Sequence, residues 1–247
     1  MSFLRNLRMM LVSRKCVICD EPISYDEKVP ICDDCIEEWD EQLEVKCNTC
    51  GSKREACVCV PFELRKISPF VCWSVFYTGS KLLDTPDSIV HHLKDSRSIE
   101  VLRFCADLMT KSIISQCKAH NVNYKEFAIT YAPRSLKKFN EFGVDQSKEL
   151  AKIIAKNLGI NMVSVFKNKS WKVQKKLNRT QRMENAKKAY RLKKNFKNGY
   201  QKYFVVDDVL TSGATLYHCA KLLLENGAQT VIPVTYAKDN IKKGDKK

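Results

Sequence analysis

The sequence predicts an α/β fold: a mostly parallel sheet flanked by helices, preceded by a small cysteine-rich zinc-binding domain. Three observations support this prediction. After residue 61, segments rich in β-branched and aromatic residues alternate with segments whose apolar residues have helical spacing. Hydrophobic residues make up 44% of the 247-residue chain, as is typical of a globular protein. Eight of the twelve cysteines lie between Cys16 and Cys59.

We expect three parts: an N-terminal zinc-ribbon-like module over 1–61, an α/β domain over 62–240, and a basic tail over 241–247. Within the α/β domain, short apolar runs predict strands, and longer amphipathic segments predict helices, one of them stopped by Gly159. The predicted strands are 70–77, 126–133, 160–166, 203–208 and 228–237, and the predicted helices are 87–94, 98–120, 145–159 and 213–227.

The chain shows no sequence signal for a membrane or for export. No apolar run approaches the roughly 20 residues that cross a bilayer. The N-terminal apolar patch, Met9 to Val12, is too short for a signal-peptide core. We therefore expect a cytoplasmic protein without membrane insertion, in which clustered cysteines bind metal rather than form disulfides. The four scattered cysteines are predicted to be buried apolar residues: Cys72, Cys105, Cys117 and Cys219.

The cysteine-rich segment contains two groups of four. Two C-x2-C pairs separated by 12 residues form the first group, a spacing typical of a four-cysteine structural zinc site: Cys16, Cys19, Cys32 and Cys35. The second group is less regular, because its last pair is separated by one residue: Cys47, Cys50, Cys57 and Cys59. This group could hold a second zinc ion, share ligands with the first group, or consist of reduced thiols. We expect one or two structural zinc ions, which supply much of the folding energy here.

The predicted strand 203–208 ends in two adjacent carboxylates, Asp207 and Asp208, and a loop rich in small hydroxylated residues follows it. Ligands of parallel sheets bind at the carboxyl ends of the strands. A loop leading into a helix N-terminus is suited to a phosphate group. Carboxylates can bind sugar hydroxyls, directly or through Mg2+. This arrangement predicts a ligand that has both a phosphate and a diol, such as a ribose 5-phosphate.

Residues 205–215 closely resemble the phosphoribosyl-pyrophosphate loop of type I phosphoribosyltransferases. Two further segments, 174–190 and 131–146, resemble the competence protein F (ComF) family, which also has a cysteine-rich zinc module before such a domain. The matching residues of the first segment are Leu177, Arg182, Asn185 and Ala189. Two residues depart from the family pattern: Phe142 stands where Arg is usual, and Asp145 where Asn is usual.

This resemblance implies a type I phosphoribosyltransferase fold, binding of phosphoribosyl pyrophosphate (PRPP) with Mg2+, and a role in DNA uptake during natural transformation. By position, Asp207 and Asp208 would bind the ribose hydroxyls, directly or through Mg2+. The segment holding the 5-phosphate would comprise Val209, Leu210, Thr211, Ser212, Gly213, Ala214 and Thr215. Arg134 would belong to the pyrophosphate loop, with Lys137 and Lys138 as nearby countercharges. Competence-machinery proteins would be further partners.

The net charge of +15 is concentrated in one segment, because residues 167–202 contain 14 basic residues and the single acid Glu184. Aromatic residues interleave with these charges, a pattern that favours single-stranded DNA binding. The predicted nucleic-acid contacts are Lys169, Trp171, Lys172, Lys175, Lys176, Arg179 and Arg182. The alternative is a basic lid over a polyphosphate substrate.

Three functional hypotheses follow. The first is a PRPP-binding phosphoribosyltransferase that acts in DNA uptake. The second is a nucleic-acid-binding adaptor that uses the same fold without turnover. The third is a phosphoribosyltransferase of nucleotide salvage.

Overall fold

The structure is a computed structural model that describes residues 14–24, 29–78, 85–95, 99–170 and 178–240. Its strands are β1 (Arg14–Lys15), β2 (Pro22–Ile23), β3 (Cys72–Tyr77), β4 (Ala128–Tyr131), β5 (Phe166–Asn168), β6 (Tyr190–Leu192), β7 (Lys202–Leu210) and β8 (Thr230–Asp239). Its α-helices are α1 (Asp33–Leu43), α2 (Phe62–Ile67), α3 (Thr85–Asp95), α4 (Ile99–Ala119), α5 (Leu136–Phe142), α6 (Gln146–Leu158), α7 (Arg179–Ala189) and α8 (Ala214–Leu224).

A four-stranded sheet in the order β3-β8-β7-β4 forms the centre of the fold, and all of its neighbouring strands are parallel. Residues along β7 alternate between the two faces of this sheet. Phe204 and Val206 belong to one hydrophobic cluster, whereas Tyr203 and Val205 belong to another. Because both faces are covered, the central strands are buried and read as nearly continuous apolar runs.

Different helices cover the two faces. Helices α4 and α6 contribute Met109, Ile113, Leu150 and Ile154 to the first cluster. Helices α2 and α8 contribute Leu64, Leu216 and Leu223 to the second. The predicted α/β class, with helices flanking a parallel sheet after a cysteine-rich segment, is confirmed.

The predicted strand 160–166 is wrong for most of its length. The chain makes only a single bridge to the edge of the sheet there, between Ile129 and Met162. Strand β5 begins only at Phe166 and pairs antiparallel with β6 in a separate two-stranded sheet. The segment is apolar because Val165 and Phe166 are buried against the second face cluster, and burial alone does not distinguish a sheet strand from an edge segment.

Other boundaries agree with the sequence to within a few residues. Gly159 ends α6 in the left-handed conformation, with φ of 61°. The four scattered cysteines are all buried, as predicted: Cys72, Cys105, Cys117 and Cys219. None of the helices in the described ranges is long and apolar enough to cross a membrane.

Candidate ligand and metal sites

Two carboxylates lie near the carboxyl end of the central strand β7. Asp207 and Asp208 are both half-buried. The Asp207 Oδ1 atom accepts hydrogen bonds from Ser147 Oγ at 3.1 Å and from the backbone N–H of Asp208 at 3.0 Å. The Asp208 Oδ1 atom accepts one from the backbone N–H of Val209 at 2.7 Å. The two side chains are therefore held by local bonds at the edge where parallel sheets bind ligands.

The pKa of Asp207 is raised to about 8. The main cause is loss of solvent around the carboxyl group, and the adjacent charge of Asp208 adds to it. The hydrogen bonds from Asp208 and Ser147 oppose this rise. A nearby cation or hydroxyl donors would stabilise the charged form of this carboxyl group.

The loop after β7 leads directly into α8. Gly213 is the N-cap of this helix and has a φ of 74°, a conformation that other residues rarely adopt. Its side-chain position is also closed, because an added Cβ would lie 2.9 Å from Pro61 and 3.0 Å from Leu64. The glycine is therefore required by the backbone angle and by the packing of the segment just after the second cysteine group.

Helix α7 packs beside α8, and its Arg182 reaches the loop. The Arg182 Nη1 atom donates to Thr211 Oγ1 at 3.4 Å. The structure thus places Arg182, predicted as a nucleic-acid contact, next to the candidate phosphate loop.

Two residues near the carboxylates were missed by the sequence reasoning. Ser147 donates to Asp207 from the first turn of α6. Tyr190 lies close enough to Asp207 for that carboxylate to raise its pKa, although burial is the larger cause. Neither residue belongs to a short motif with Asp207, so only the fold identifies them.

The predicted pyrophosphate loop follows β4. The Arg134 backbone N–H donates to Asp145 Oδ2 at 3.1 Å, and Asp145 Oδ1 accepts from the Lys148 N–H at 3.3 Å. Asp145 thereby caps α6, which also carries Ser147. Lys137 is exposed, and the side chain of Lys138 lies outside the described part of the chain.

A cavity of about 650 Å3 lies beside this loop, between α5 and β5. Its two walls are joined by a hydrogen bond of 3.0 Å from Asn168 Nδ2 to the carbonyl of Pro133. The residues that line it are Pro133, Arg134, Leu136, Phe139, Asp145, Lys167, Asn168 and Lys169. Of the two predicted nucleic-acid contacts whose side chains the structure describes, Lys169 lines this cavity and Arg182 does not.

The aromatic residues of segment 167–202 that the structure describes pack inward. Tyr190, Phe196 and Tyr200 are partly buried against the second face cluster. They therefore support the fold, and their rings are not open faces for stacking bases. The remaining predicted contacts, Trp171, Lys172, Lys175 and Lys176, lie outside the described residues, as does the side chain of Arg179.

The eight N-terminal cysteines form two separate groups of four, as predicted, with the sulfur atoms of each group within 4.8 Å of one another. A tetrahedral site with Zn–S distances of about 2.3 Å requires S···S distances of about 3.8 Å. The Cys19 and Cys32 sulfurs are 3.6 Å apart, and those of Cys50 and Cys57 are 3.9 Å apart. Both groups could therefore hold a structural zinc ion.

The same turn begins both groups. The residue after the first C-x2-C pair of each group has a left-handed backbone, with φ of 61° at Asp20 and 69° at Gly51. In each turn that residue donates its N–H to the carbonyl of the first cysteine, at 3.0 Å to Cys16 and 2.8 Å to Cys47. The second group thus begins with the same turn as the first and differs from it at its end, Cys57 and Cys59.

Comparison with known proteins gives modest similarities. No family model matches the chain. The DNA utilization protein YhgH of Salmonella typhimurium is 28% identical over 145 residues, which is 58% of this chain and 63% of that protein. The proteins of the same name in Shigella flexneri and Escherichia coli O157:H7 are 26% and 27% identical over 161 residues, covering 64% of this chain and 70% of each relative. The chain therefore spans less than two thirds of the Salmonella protein that it matches, and it is similar to proteins named for DNA utilization.

Proposed function

We propose that this chain is a competence protein F-like phosphoribosyltransferase that binds PRPP with Mg2+. We further propose that it takes part in DNA uptake and in the handling of the incoming DNA. The observation that carries the proposal is the pair Asp207 and Asp208 on the central strand, followed by a loop into α8. A diol and a phosphate can be bound there by adjacent groups. The similarity to DNA utilization proteins supports the DNA-related part of the proposal.

In this proposal, the protein positions the ligand and stabilises charge. Asp207 and Asp208 bind the ribose hydroxyls or the Mg2+ ion, and the backbone N–H groups at the start of α8 bind the 5-phosphate. Arg134, in the loop after β4, would serve the leaving pyrophosphate, whose developing negative charge a guanidinium group would stabilise. Bound Mg2+ would supply further neutralisation of that charge.

The test is a titration of the full chain with PRPP, with and without Mg2+, on the wild type and on Asp207→Asn/Asp208→Asn. We expect Mg2+-dependent binding that the double variant loses. The apparent affinity should also rise as the pH increases toward about 8, because Asp207, whose pKa is raised to about 8, must lose its proton to bind a cation. Wild-type protein that binds no PRPP under any of these conditions would refute the proposed ligand.

A second candidate is a nucleic-acid-binding adaptor without turnover, and one observation favours it. Of the 14 basic residues in segment 167–202, Lys167 and Lys169 line a cavity beside the pyrophosphate loop. Transformation assays separate the two functions: Asp207→Asn should abolish the contribution of an enzyme but leave that of an adaptor intact.

A further inference from the structure

We propose that the cavity between α5 and β5 is a binding site for an unpaired nucleotide of single-stranded DNA, with the base stacked on Phe139. The inference rests on the proposed role in DNA handling and gives it a specific location. We call this cavity the α5–β5 groove, defined by the eight lining residues named above.

The size and wall chemistry of the groove suit a nucleotide. Its volume of about 650 Å3 falls within the roughly 300–1,000 Å3 typical of small-molecule sites. Two large apolar side chains lie on α5 with substantial exposure, 59% for Leu136 and 45% for Phe139. An aromatic ring that the fold leaves exposed at a groove is a surface on which any base can stack.

The charge of the groove suits a phosphodiester backbone. Arg134 contributes a cation on one wall, and Lys167 and Lys169 contribute two on the other. The acid in the lining, Asp145, is directed at backbone N–H groups of Arg134 and Lys148 and serves as a helix cap. The balance of charge therefore favours an anion.

The aromatic residues of the basic segment that the structure describes do not compete for this role. Tyr190, Phe196 and Tyr200 pack against the core, as described above. Phe139 lies outside that segment but faces it across the groove. The exposed ring and the basic residues thus come from chain segments that are distant in sequence, and the hydrogen bond between Asn168 and Pro133 holds them together.

The experiment measures binding of a fluorescent thymidine oligonucleotide by anisotropy, with the full zinc-loaded chain. Phe139→Ala should weaken binding about tenfold or more, because stacking of a base is lost. Phe139→Tyr keeps the ring and should restore binding. The matched control is Phe62→Ala, which removes another exposed ring, 51% exposed, from a different helix and should leave binding unchanged.

Charge is tested by reversing two lysines at a time. Lys167→Glu/Lys169→Glu should weaken binding strongly and reduce the salt dependence by about 0.7 per lost phosphate contact. Lys194→Glu/Lys197→Glu changes the net charge equally at exposed positions that do not line the groove. Equal losses in the two double variants would show that binding follows overall charge, and would overturn the proposal.

Two ligand controls complete the test. An abasic oligonucleotide should bind the wild type more weakly than the thymidine strand, and should bind Phe139→Ala and wild type equally. Free thymidine monophosphate that competes as well as the strand would overturn the assignment to single-stranded DNA. Phe139→Ala should retain PRPP binding, so loss of DNA binding in this variant is distinguishable from failure of the proposed enzyme site.

Discussion

The two cysteine groups use the same turn but are attached to the sheet in different ways. The first group lies against the face covered by α4, where Trp39 packs edge-on against Phe104 with ring centroids 5.3 Å apart. An ion pair of 2.9 Å between Arg14 of β1 and Glu100 joins the start of the cysteine-rich segment to the same helix, α4. These contacts involve a helix on the side of the sheet, and none of them reaches the carboxylate pair.

The second group is bound to the end of the sheet itself. Asn48 donates from its backbone and its side chain to Asn240, at 2.8 and 2.7 Å, and Asn240 donates to the carbonyl of Lys46 at 3.1 Å. The buried Lys238 on β8 lies 3.7 Å from the Cys57 sulfur. Just beyond this group, Pro61 packs against Gly213 of the candidate phosphate loop.

The regularity of the cysteine spacing therefore does not indicate which of the two groups contacts the end of the sheet that carries the candidate ligand site. The first group has the more regular sequence, yet the second is connected to β8 and to the loop before α8. We therefore expect loss of the second group to affect ligand binding, and loss of the first to affect mainly local stability.

The largest effect, on bound zinc and on ligand binding, is expected when one C-x2-C pair is removed at a time. Cys47→Ser/Cys50→Ser and Cys16→Ser/Cys19→Ser should each lose one zinc ion, measured by elemental analysis, since a structural site needs all four ligands. The second-group variant should also lose hydrogen-exchange protection in β8 and bind PRPP more weakly. Identical exchange patterns for the two variants would contradict the comparison.

A smaller effect is expected when the polar contacts that attach each group to the rest of the fold are removed separately. Asn240→Ala deletes the side-chain bonds to Asn48 and Lys46 and should lower the free energy of unfolding by about 1–3 kcal/mol. Glu100→Gln breaks the ion pair of the first group and should cost less than about 1 kcal/mol, because that pair is partly exposed. Denaturant unfolding measures both values, and a larger cost for Glu100→Gln would reverse our ranking.

The smallest effect concerns the charge beside Cys57. Burial raises the pKa of the Cys57 thiol to about 12, while the positive charge of Lys238 acts to lower it. Lys238→Met should raise this pKa further, so zinc should be released at higher pH than in the wild type. Only one of the two zinc ions should respond when release is followed with a colorimetric chelator during acidification. Unchanged release of both would show that Lys238 does not stabilise the second group.

Much of the fold and part of the candidate site could be predicted from short stretches of sequence. The strand that carries Asp207 and Asp208, the loop after it and both cysteine groups are each defined within a few tens of residues. The edge segment around Met162 could not be predicted, because its apolar residues are buried without belonging to the main sheet. The α5–β5 groove was also missed, since Phe139 and Lys167 become neighbours only when α5 and β5 pack together.

Chemistry that is local along the chain can be read from the sequence: thiols at metal-ligand spacing, carboxylates near a strand end, and a glycine where a helix begins. Which of these groups meet depends on the folded chain. Ser147 reaches Asp207 across 60 residues, and Asn48 reaches Asn240 across 192. Such pairs depend on strand order and helix packing, which many distant apolar contacts set together, so no short motif records them.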